Sequence, residues 1–252
     1  MHYVCSDIHG QIGLYKEMLA AIDLKPEDTL YVLGDVIDRG PGSMEVLKDV
    51  MERENAEFFL GNHEFMMLNY FETGGNYTNW TIPGNGGKVT RDQFLELPEE
   101  EQERIISFLK NAWIQKYVEV QGVKYALHHS FFLPEKTGQD VRFSEEPDRD
   151  AVTYAVWYSL WRMWERVGIE DYDDGYMHIL GHVPVMFTRK NGPEKPPLEV
   201  GPVINIDGGC AAVSRTGDGG LFCMSLETDE KGKRKEFWFP GKKKGILGWL
   251  GF

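Results

Sequence analysis

The chain has 252 residues, of which 42% are hydrophobic and 27% are charged. This is the composition of an ordinary globular protein, and it excludes a disordered chain, a collagen and a coiled coil. The 27 basic and 40 acidic residues give a formal net charge of -13. We therefore expect no general affinity for nucleic acid or for an anionic membrane, because the chain repels their phosphates. The length fits one large domain, with two small domains as the alternative.

Targeting and redox signals are sparse. No apolar run approaches the ~20 residues that a membrane helix requires, and we expect no signal peptide, because the charged residue Asp7 follows the start of the chain at once. The three cysteines, Cys5, Cys210 and Cys223, form no C-x-x-C pair. We expect them to be reduced thiols of a cytoplasmic protein.

The first third of the chain alternates between two periodicities. Three short apolar runs, 2–6, 29–34 and 56–60, are separated by two stretches with apolar residues at helical spacing. This β-α-β-α-β pattern predicts a parallel sheet with right-handed crossovers. Each run is followed by polar residues, which would lie at the carboxyl edge of the sheet, where ligands of open α/β sheets bind.

The rest of the chain predicts a second group of strands and a helical insert. A stretch rich in Gly and Asn and a following helix form the insert, at about 71–110. Residues 1–240 are predicted to be a single domain, and 241–252 a tail that is first basic and then apolar, whose partner is unknown. The remaining predicted elements are a hairpin (113–120 and 123–127), an aromatic helix (148–167) and four strands (177–180, 203–206, 220–226 and 235–239).

Side chains that can bind metal follow five of the predicted strands. They are Asp7 with His9, Asp35, Asn62 with His63, His128, and His182. One such residue alone is more often structural, but all of them fall at strand ends. Carboxylate, amide and imidazole ligands suit Mn, Fe or Zn, and the absence of thiolate argues against structural zinc. A carboxylate can bridge two such cations, which together promote phosphoryl transfer.

Three segments carry a resemblance to a known family. Residues 7–10 (DIHG), 34–40 (GDVIDRG) and 61–64 (GNHE) resemble the successive motifs of the calcineurin-like metallophosphoesterases, most closely those of the phosphoprotein phosphatase branch. Residues 181–184 (GHVP) resemble the later GHTP motif of that branch, with Val in place of Thr. Residues 80–90 are similar to a bacterial subgroup that includes phage-type protein phosphatases and symmetrical diadenosine tetraphosphatases. The resemblance covers Met1 to about Val213.

The resemblance implies a fold and a metal site. The fold is α/β: a two-sheet β-sandwich flanked by helices, with a helical insert. The site holds two divalent metal ions, Mn, Fe or Zn. Asp7 and His9 would hold the first metal, and Asp35 would bridge both. The second metal would be completed by Asn62, His128 and His182.

One of these ligands is ambiguous, because His128 and His129 are adjacent and strand alternation points them to opposite sides. Alignment by the preceding residues 125–127 favours His128, and His129 is the alternative.

The resemblance also implies the catalytic groups. His63 would be the general acid, with Asp38 orienting its ring, and Arg39 would bind phosphate oxygens. The family has a second phosphate-binding arginine after a Trp. Arg162 is the nearest match, with its spacing shifted by one residue, and a surface helix charge is an equal alternative for it.

These roles together imply a dinuclear metal-dependent phosphohydrolase that uses a metal-bridging hydroxide as nucleophile. The substrate predicted first is a phosphoserine or phosphothreonine protein. The alternative is a symmetrical bis(5'-nucleosyl)-tetraphosphatase or a related enzyme that acts on small phosphorylated molecules or nucleotides. A non-catalytic, metal-containing binding module on the same fold is the alternative from another class. It predicts that a ligand or the acid is missing, whereas the sequence contains all of them.

Overall fold

The computed structural model describes residues 1–159, 173–188 and 195–242. These residues form two mixed β-sheets flanked by helices. The strands are β1 (His2–Cys5), β2 (Thr29–Val32), β3 (Ala56–Phe58), β4 (Trp113–Val120), β5 (Val123–His128), β6 (Val141–Arg142), β7 (Met177–Leu180), β8 (Leu198–Val200), β9 (Val203–Asn205), β10 (Gly220–Thr228) and β11 (Arg234–Pro240). The α-helices are α1 (Ile12–Ile22), α2 (Ser43–Glu52), α3 (Asn62–Glu72), α4 (Gly87–Leu95), α5 (Glu99–Lys110), α6 (Arg149–Trp157) and α7 (Cys210–Thr216).

The first sheet has the strand order β11-β10-β1-β2-β3. Its central strands β1, β2 and β3 are parallel, as the β-α-β-α-β pattern predicts, and β10 and β11 add an antiparallel extension. Helix α1 buries Leu14, Tyr15, Met18 and Ile22, which share one face at helical spacing. Because β1, β2 and β3 are parallel, their carboxyl ends meet at one edge of this sheet.

The second sheet has the strand order β6-β4-β5-β7-β9-β8. Strands β4 and β5 form the predicted hairpin, whose turn residues Gln121 and Gly122 both have positive φ angles, 52° and 78°, as a tight two-residue hairpin turn requires. Strands β5, β7 and β9 are parallel. Their carboxyl ends present a second set of loops.

The two sheets pack face to face. Period-2 alternation along β1 places Val4 in the core between the sheets, with Tyr31 and Phe59 of the same sheet. Tyr125 and Ile179 of the second sheet complete this core, whereas Tyr3 and Cys5 face the core beneath the helices. The predicted two-sheet sandwich flanked by helices is therefore confirmed.

Some elements depart from the sequence analysis. Helices α4 and α5 fall within the stretch predicted as a helical insert, but β6, β8 and α7 were not predicted. Of the predicted aromatic helix, the structure describes α6, which ends at Trp157 and is followed by extended backbone at Tyr158. Residues 160–167, which include Arg162, lie outside the described residues, as does residue 243 onward in the predicted tail. None of the helices in the described part of the chain has the length and apolarity needed to cross a membrane.

Phe59 provides a test of the packing between the sheets, because its side chain is completely buried there. We expect Phe59→Ala to lower the free energy of unfolding by about 3–5 kcal/mol, the cost of lost burial plus a cavity. Urea denaturation of this variant measures the loss, with Val123→Ala as the control, because Val123 is 39% exposed. Equal midpoints for the two variants would contradict this account of the core.

Candidate metal centre

The loops after β1 and β2 are bound to each other along their backbones. The N–H of Asp7 donates to the carbonyl oxygen of Gly34 at 3.1 Å, and the N–H of His9 donates to that of Asp35 at 2.9 Å. The side chains that follow the two strands are therefore held at a fixed spacing, as expected where parallel strands end at the same sheet edge.

The backbone of the site is held in an unusual conformation. Six residues that are not glycine have φ angles between 47° and 70° there, in the left-handed region: Asp7, His9, Asp35, Asp38, Arg39 and His182. Such a conformation costs of order 1–3 kcal/mol for each residue and clusters at functional sites. It turns successive side chains toward one point instead of alternating them across the sheet.

The carboxylate of Asp35 is the centre of the cluster. Its Oδ2 atom lies 3.6 Å from Nε2 of His129, 3.8 Å from Nε2 of His9 and 4.0 Å from Nε2 of His63. Asn62 lies on the other side, where its Oδ1 atom is 3.1 Å from Nε2 of His129 and 2.9 Å from Nδ1 of His182. Two groups of potential metal ligands result, and Asp35 belongs to both.

Two of the imidazoles are oriented as metal ligands usually are. His9 donates its Nδ1–H to the carbonyl oxygen of Ile37 at 3.0 Å, and His129 donates its Nδ1–H to that of Leu33 at 2.7 Å. Each Nε2 atom is thereby left as an acceptor that faces Asp35. A second ring nitrogen bound to a backbone carbonyl is the common arrangement of metal-ligating histidines, because it fixes the tautomer and the orientation of the ring.

Asp7 and His182 approach from opposite sheets. The Oδ2 atom of Asp7 accepts a hydrogen bond from the backbone N–H of His182 at 2.9 Å and another from the hydroxyl of Ser6. Asp207, which follows β9, lines the same cavity and accepts from the N–H of Gly209 at 2.8 Å. No ligand role is predicted for Asp207 from the sequence, and its buried carboxylate is an addition from the structure.

The electrostatics of the cluster favour a bound cation. Burial raises the pKa of Asp7, Asp35 and Asp207, and the nearby carboxylate of Glu64, followed by that of Asp7, raises the pKa of Asp35 further. Burial, followed by the charge of Arg39, lowers the pKa of His9, and burial also lowers that of His129. Neutral imidazoles and crowded carboxylates are the forms that bind divalent metal, so the donor set fits the metals implied by the sequence.

His63, one of the imidazoles around Asp35, is also paired with Asp38. Nδ1 of His63 lies 2.6 Å from Oδ2 of Asp38, and its Nε2 lies 3.1 Å from a guanidinium nitrogen of Arg39. Burial raises the pKa of Asp38 to about 7, while hydrogen bonds from Thr90 and Trp80 oppose that shift. The ring of His63 is thus held between the carboxylate of Asp38 and the guanidinium of Arg39.

The structure places His129, rather than His128, in the cluster. Tyr125 and Leu127 face the core between the sheets, so His129, which has the same parity, points toward the first sheet. His128 points away from Asp35, and its Nε2 lies 3.1 Å from Nδ1 of His178. The sequence favoured His128 by its position after residues 125–127, whereas the structure brings its alternative, His129, into the group with Asp35 and His182, so His129 replaces it as the candidate ligand.

Two further residues support the site. The carboxylate of Glu64 accepts hydrogen bonds from the backbone N–H groups of Asp35, Val36, Ile37 and Gly61 at 2.8–3.3 Å. Glu64 stands three residues after Gly61, the spacing of a capping box, and this signal could have identified it. Trp80 donates to Asp38, and no local sequence signal joins residues so far apart.

The cluster opens to solvent through two connected cavities. A cavity of about 120 Å³ lies directly over it and is lined by Asp35, Asn62 and His63 among others. A groove of about 970 Å³ continues outward from Arg39 and His182 along helices α4 and α7. A ligand that reaches the cluster therefore has room for a group much larger than a phosphate.

The fold and the cluster define a class: a two-layer sandwich that gathers His, Asp and Asn ligands at its loop edge beside an arginine. The calcineurin-like phosphoesterase family matches residues 3–213. Because this match covers most of the chain, the chain belongs to that family of hydrolases.

The similar proteins with curated names differ in substrate. The chain is 34% identical to "Serine/threonine-protein phosphatase 2" of Escherichia coli over 57% of its own length and 62% of the relative. It is 30% identical to "Bis(5'-nucleosyl)-tetraphosphatase, symmetrical" of Chromobacterium violaceum, over 57% of this chain and 48% of that one. The match thus spans 48–62% of the length of these relatives.

Solved structures share the fold at low sequence identity. A protein serine/threonine phosphatase from Saccharomyces cerevisiae aligns over 97% of this chain and 81% of its own, with a TM-score of 0.56 and 14% identity. A metallophosphoesterase from Sphaerobacter thermophilus aligns over 96% of this chain and 89% of its own, with a TM-score of 0.52 and 14% identity. These likenesses concern the fold alone.

The two adjacent histidines provide a direct test. We expect His129→Gln to lower the metal content of the purified protein, because His129 faces both Asp35 and Asn62. His128→Gln is the matched control, since His128 is equally buried and contacts His178 instead. Elemental analysis after gel filtration in manganese measures both variants. Loss of metal only from the His128 variant would restore the original assignment.

Proposed function

We propose that this protein is a dinuclear metal-dependent phosphohydrolase that acts on phosphoserine and phosphothreonine in proteins. One observation supports the proposal: the Asp35 carboxylate lies within 4.0 Å of the Nε2 atoms of His9, His129 and His63, and the last of these also contacts Asp38 and Arg39. This arrangement around one small cavity supports a ligand set for cations with an acid and a phosphate-binding group beside it.

The proposed ligands use the sequence assignments with the one correction. Asp7 and His9 would hold one cation, Asp35 would be shared, and the other cation would be held by Asn62, His129 and His182. Mn, Fe and Zn all suit this mixture of oxygen and nitrogen donors. When bound, the two cations supply positive charge and Lewis acidity to the phosphate and to a water molecule.

His63 and Arg39 perform the remaining tasks. The planar guanidinium of Arg39 lines the cavity and can bind two phosphate oxygens at once. The Nε2 of His63 faces the same cavity, while its Nδ1 is held by Asp38. When Arg39 turns to the phosphate, Nε2 of His63 is released from its contact with the guanidinium, and a proton on Nε2 can then be donated to the leaving oxygen while the Asp38 carboxylate stabilises the charge of the ring.

The outer groove supports a large leaving group. Phe187 is 70% exposed on its wall, where an apolar ring can pack against a peptide side chain. Arg215 also lines the groove and makes no ion pair among the described residues. A phosphopeptide would thus find both an apolar contact and a cation beyond the scissile phosphate.

A dinucleoside tetraphosphate is the second candidate substrate. The name of the Chromobacterium violaceum relative favours it, and the same groove offers a ring and an unpaired arginine that suit a base and a further phosphate. The two candidates are separated by assay.

We also propose that the protein resides in the cytoplasm. Cys5, Cys210 and Cys223 are all free and buried, which supports the expectation of a reducing compartment.

His63 tests the proposed reaction. We expect His63→Ala to retain its metal but to hydrolyse phenyl phosphate about 10²-fold more slowly or worse, the usual contribution of a general acid. The loss for p-nitrophenyl phosphate should be smaller, because its leaving group requires less protonation. Elemental analysis and steady-state kinetics with manganese check both points. A collapse of metal content would mean that His63 is a ligand, and a metal-loaded wild type without turnover would favour a binding module.

Kinetic comparison of the two candidate substrates, with a substitution in the groove, tests which one the protein prefers. We expect kcat/KM for a phosphothreonine peptide to exceed that for diadenosine tetraphosphate, and Phe187→Ala to raise KM for the preferred substrate more than KM for p-nitrophenyl phosphate. Leu95→Ala is the control, because Leu95 is 55% exposed outside the groove. A higher kcat/KM for the dinucleotide would reverse the substrate assignment.

A further inference from the structure

Trp80 connects the segment before α4 to the His63–Asp38 pair. It lies in a single turn of 3-10 helix, Thr78–Thr81, and its side chain is completely buried. The indole Nε1–H donates a hydrogen bond of 2.8 Å to Oδ2 of Asp38. This is the same carboxylate oxygen that lies 2.6 Å from Nδ1 of His63.

The packing around the indole leaves it little freedom. Its ring centroid lies 5.2 Å from that of Tyr70 and 5.9 Å from that of Phe71. On the opposite side, a side chain at Gly87 would collide with Nε1 and with the backbone carbonyl oxygen of Trp80. The donor is thereby aimed at Asp38 by close packing on both sides.

The carboxylate of Asp38 depends on this donor for its orientation. The hydroxyls of Ser43 and Thr90 accept from the backbone N–H of Asp38 and so fix its main chain. Among the described residues, Oδ1 of Asp38 has no hydrogen-bond partner. Trp80 and His63 meet at Oδ2, so these two contacts, together with the neighbouring hydroxyl of Thr90, set the rotation of the carboxylate group.

We propose that Trp80 is a positioning residue for the general acid, acting through Asp38 on His63. Its N–H holds Oδ2 where Nδ1 of His63 can bind it, so that Nε2 faces the leaving oxygen. Trp80 does not line the cavity over the metal ligands. This inference rests on the proposed function, because it assumes that His63 delivers a proton to the leaving group.

A positioning role predicts a particular kinetic signature. Loss of the indole N–H lets the carboxylate rotate, so proton transfer becomes slower while substrate and metal contacts remain. The effect should appear in kcat rather than in KM. It should be large for a leaving group that requires protonation and small for one that does not. A merely structural role for Trp80 would lower both activities together.

The experiment compares Trp80→Phe with Phe94→Leu. Phe94 is buried in the same aromatic group, 4.6 Å from Phe71, but has no hydrogen bond to lose. We expect Trp80→Phe to lower kcat for phenyl phosphate about 10-fold, a fraction of the usual contribution of a general acid, with KM and manganese content retained. The loss for p-nitrophenyl phosphate should be a few-fold at most. Phe94→Leu should change both substrates equally.

A second replacement covers the case in which Trp80→Phe fails to fold. Benzothienylalanine introduced at position 80 keeps the shape of the indole and replaces its N–H by sulfur, so it should give the same selective loss for phenyl phosphate. Equal losses for the two substrates in this variant would overturn the positioning role of Trp80. If the wild-type protein with manganese hydrolyses neither substrate, the proposed function itself fails, which is a distinguishable result.

Discussion

The site depends on the backbone hydrogen bonds that the carboxylate of Glu64 accepts. This carboxylate accepts four of them, three from the loop that carries Asp35 and one from Gly61, just before Asn62. These hydrogen bonds oppose the effect of burial, which still raises the pKa of Glu64 to about 7. This contact joins the loop after β2 to the residue before Asn62, and the N–H of His63, which donates to Oδ1 of Asp35 at 2.9 Å, reinforces it. The shared ligand, the neighbouring amide and the proposed acid therefore all take their positions from one side chain.

Burial disfavours the charged forms of the side chains that the fold gathers in this cluster. Burial raises the pKa of the clustered carboxylates and lowers that of the imidazoles, so the metal-free site disfavours charge on both kinds of group. The packing between the sheets supplies the free energy that keeps them together. A bound cation would offset this cost, because it would be attracted to the carboxylates and would take the lone pairs of neutral imidazoles. Under the proposed function, stability and metal binding are therefore expected to be coupled at this edge of the sandwich.

Much of the fold and the site could be predicted from the sequence, because the pattern is local. Strands β1 to β3 and helices α1 and α2 follow from periodicity, and the polar residues after each strand point to one sheet edge. The choice between His128 and His129 could not be made this way. Alternation separates them, but only the position of the other sheet decides which face is the inner one. Asp207 and Trp80 were missed as site residues for a similar reason, since their contacts join segments far apart in the chain.

The left-handed backbone at Asp7, Asp35, Arg39 and their neighbours limits which substitutions the site tolerates. Glycine adopts this conformation without a steric penalty, whereas other residues do not. Glycine at any of these positions would relax a loop and at the same time remove a polar side chain of the site. The replacement that is easiest for the backbone is therefore the one that empties the cluster.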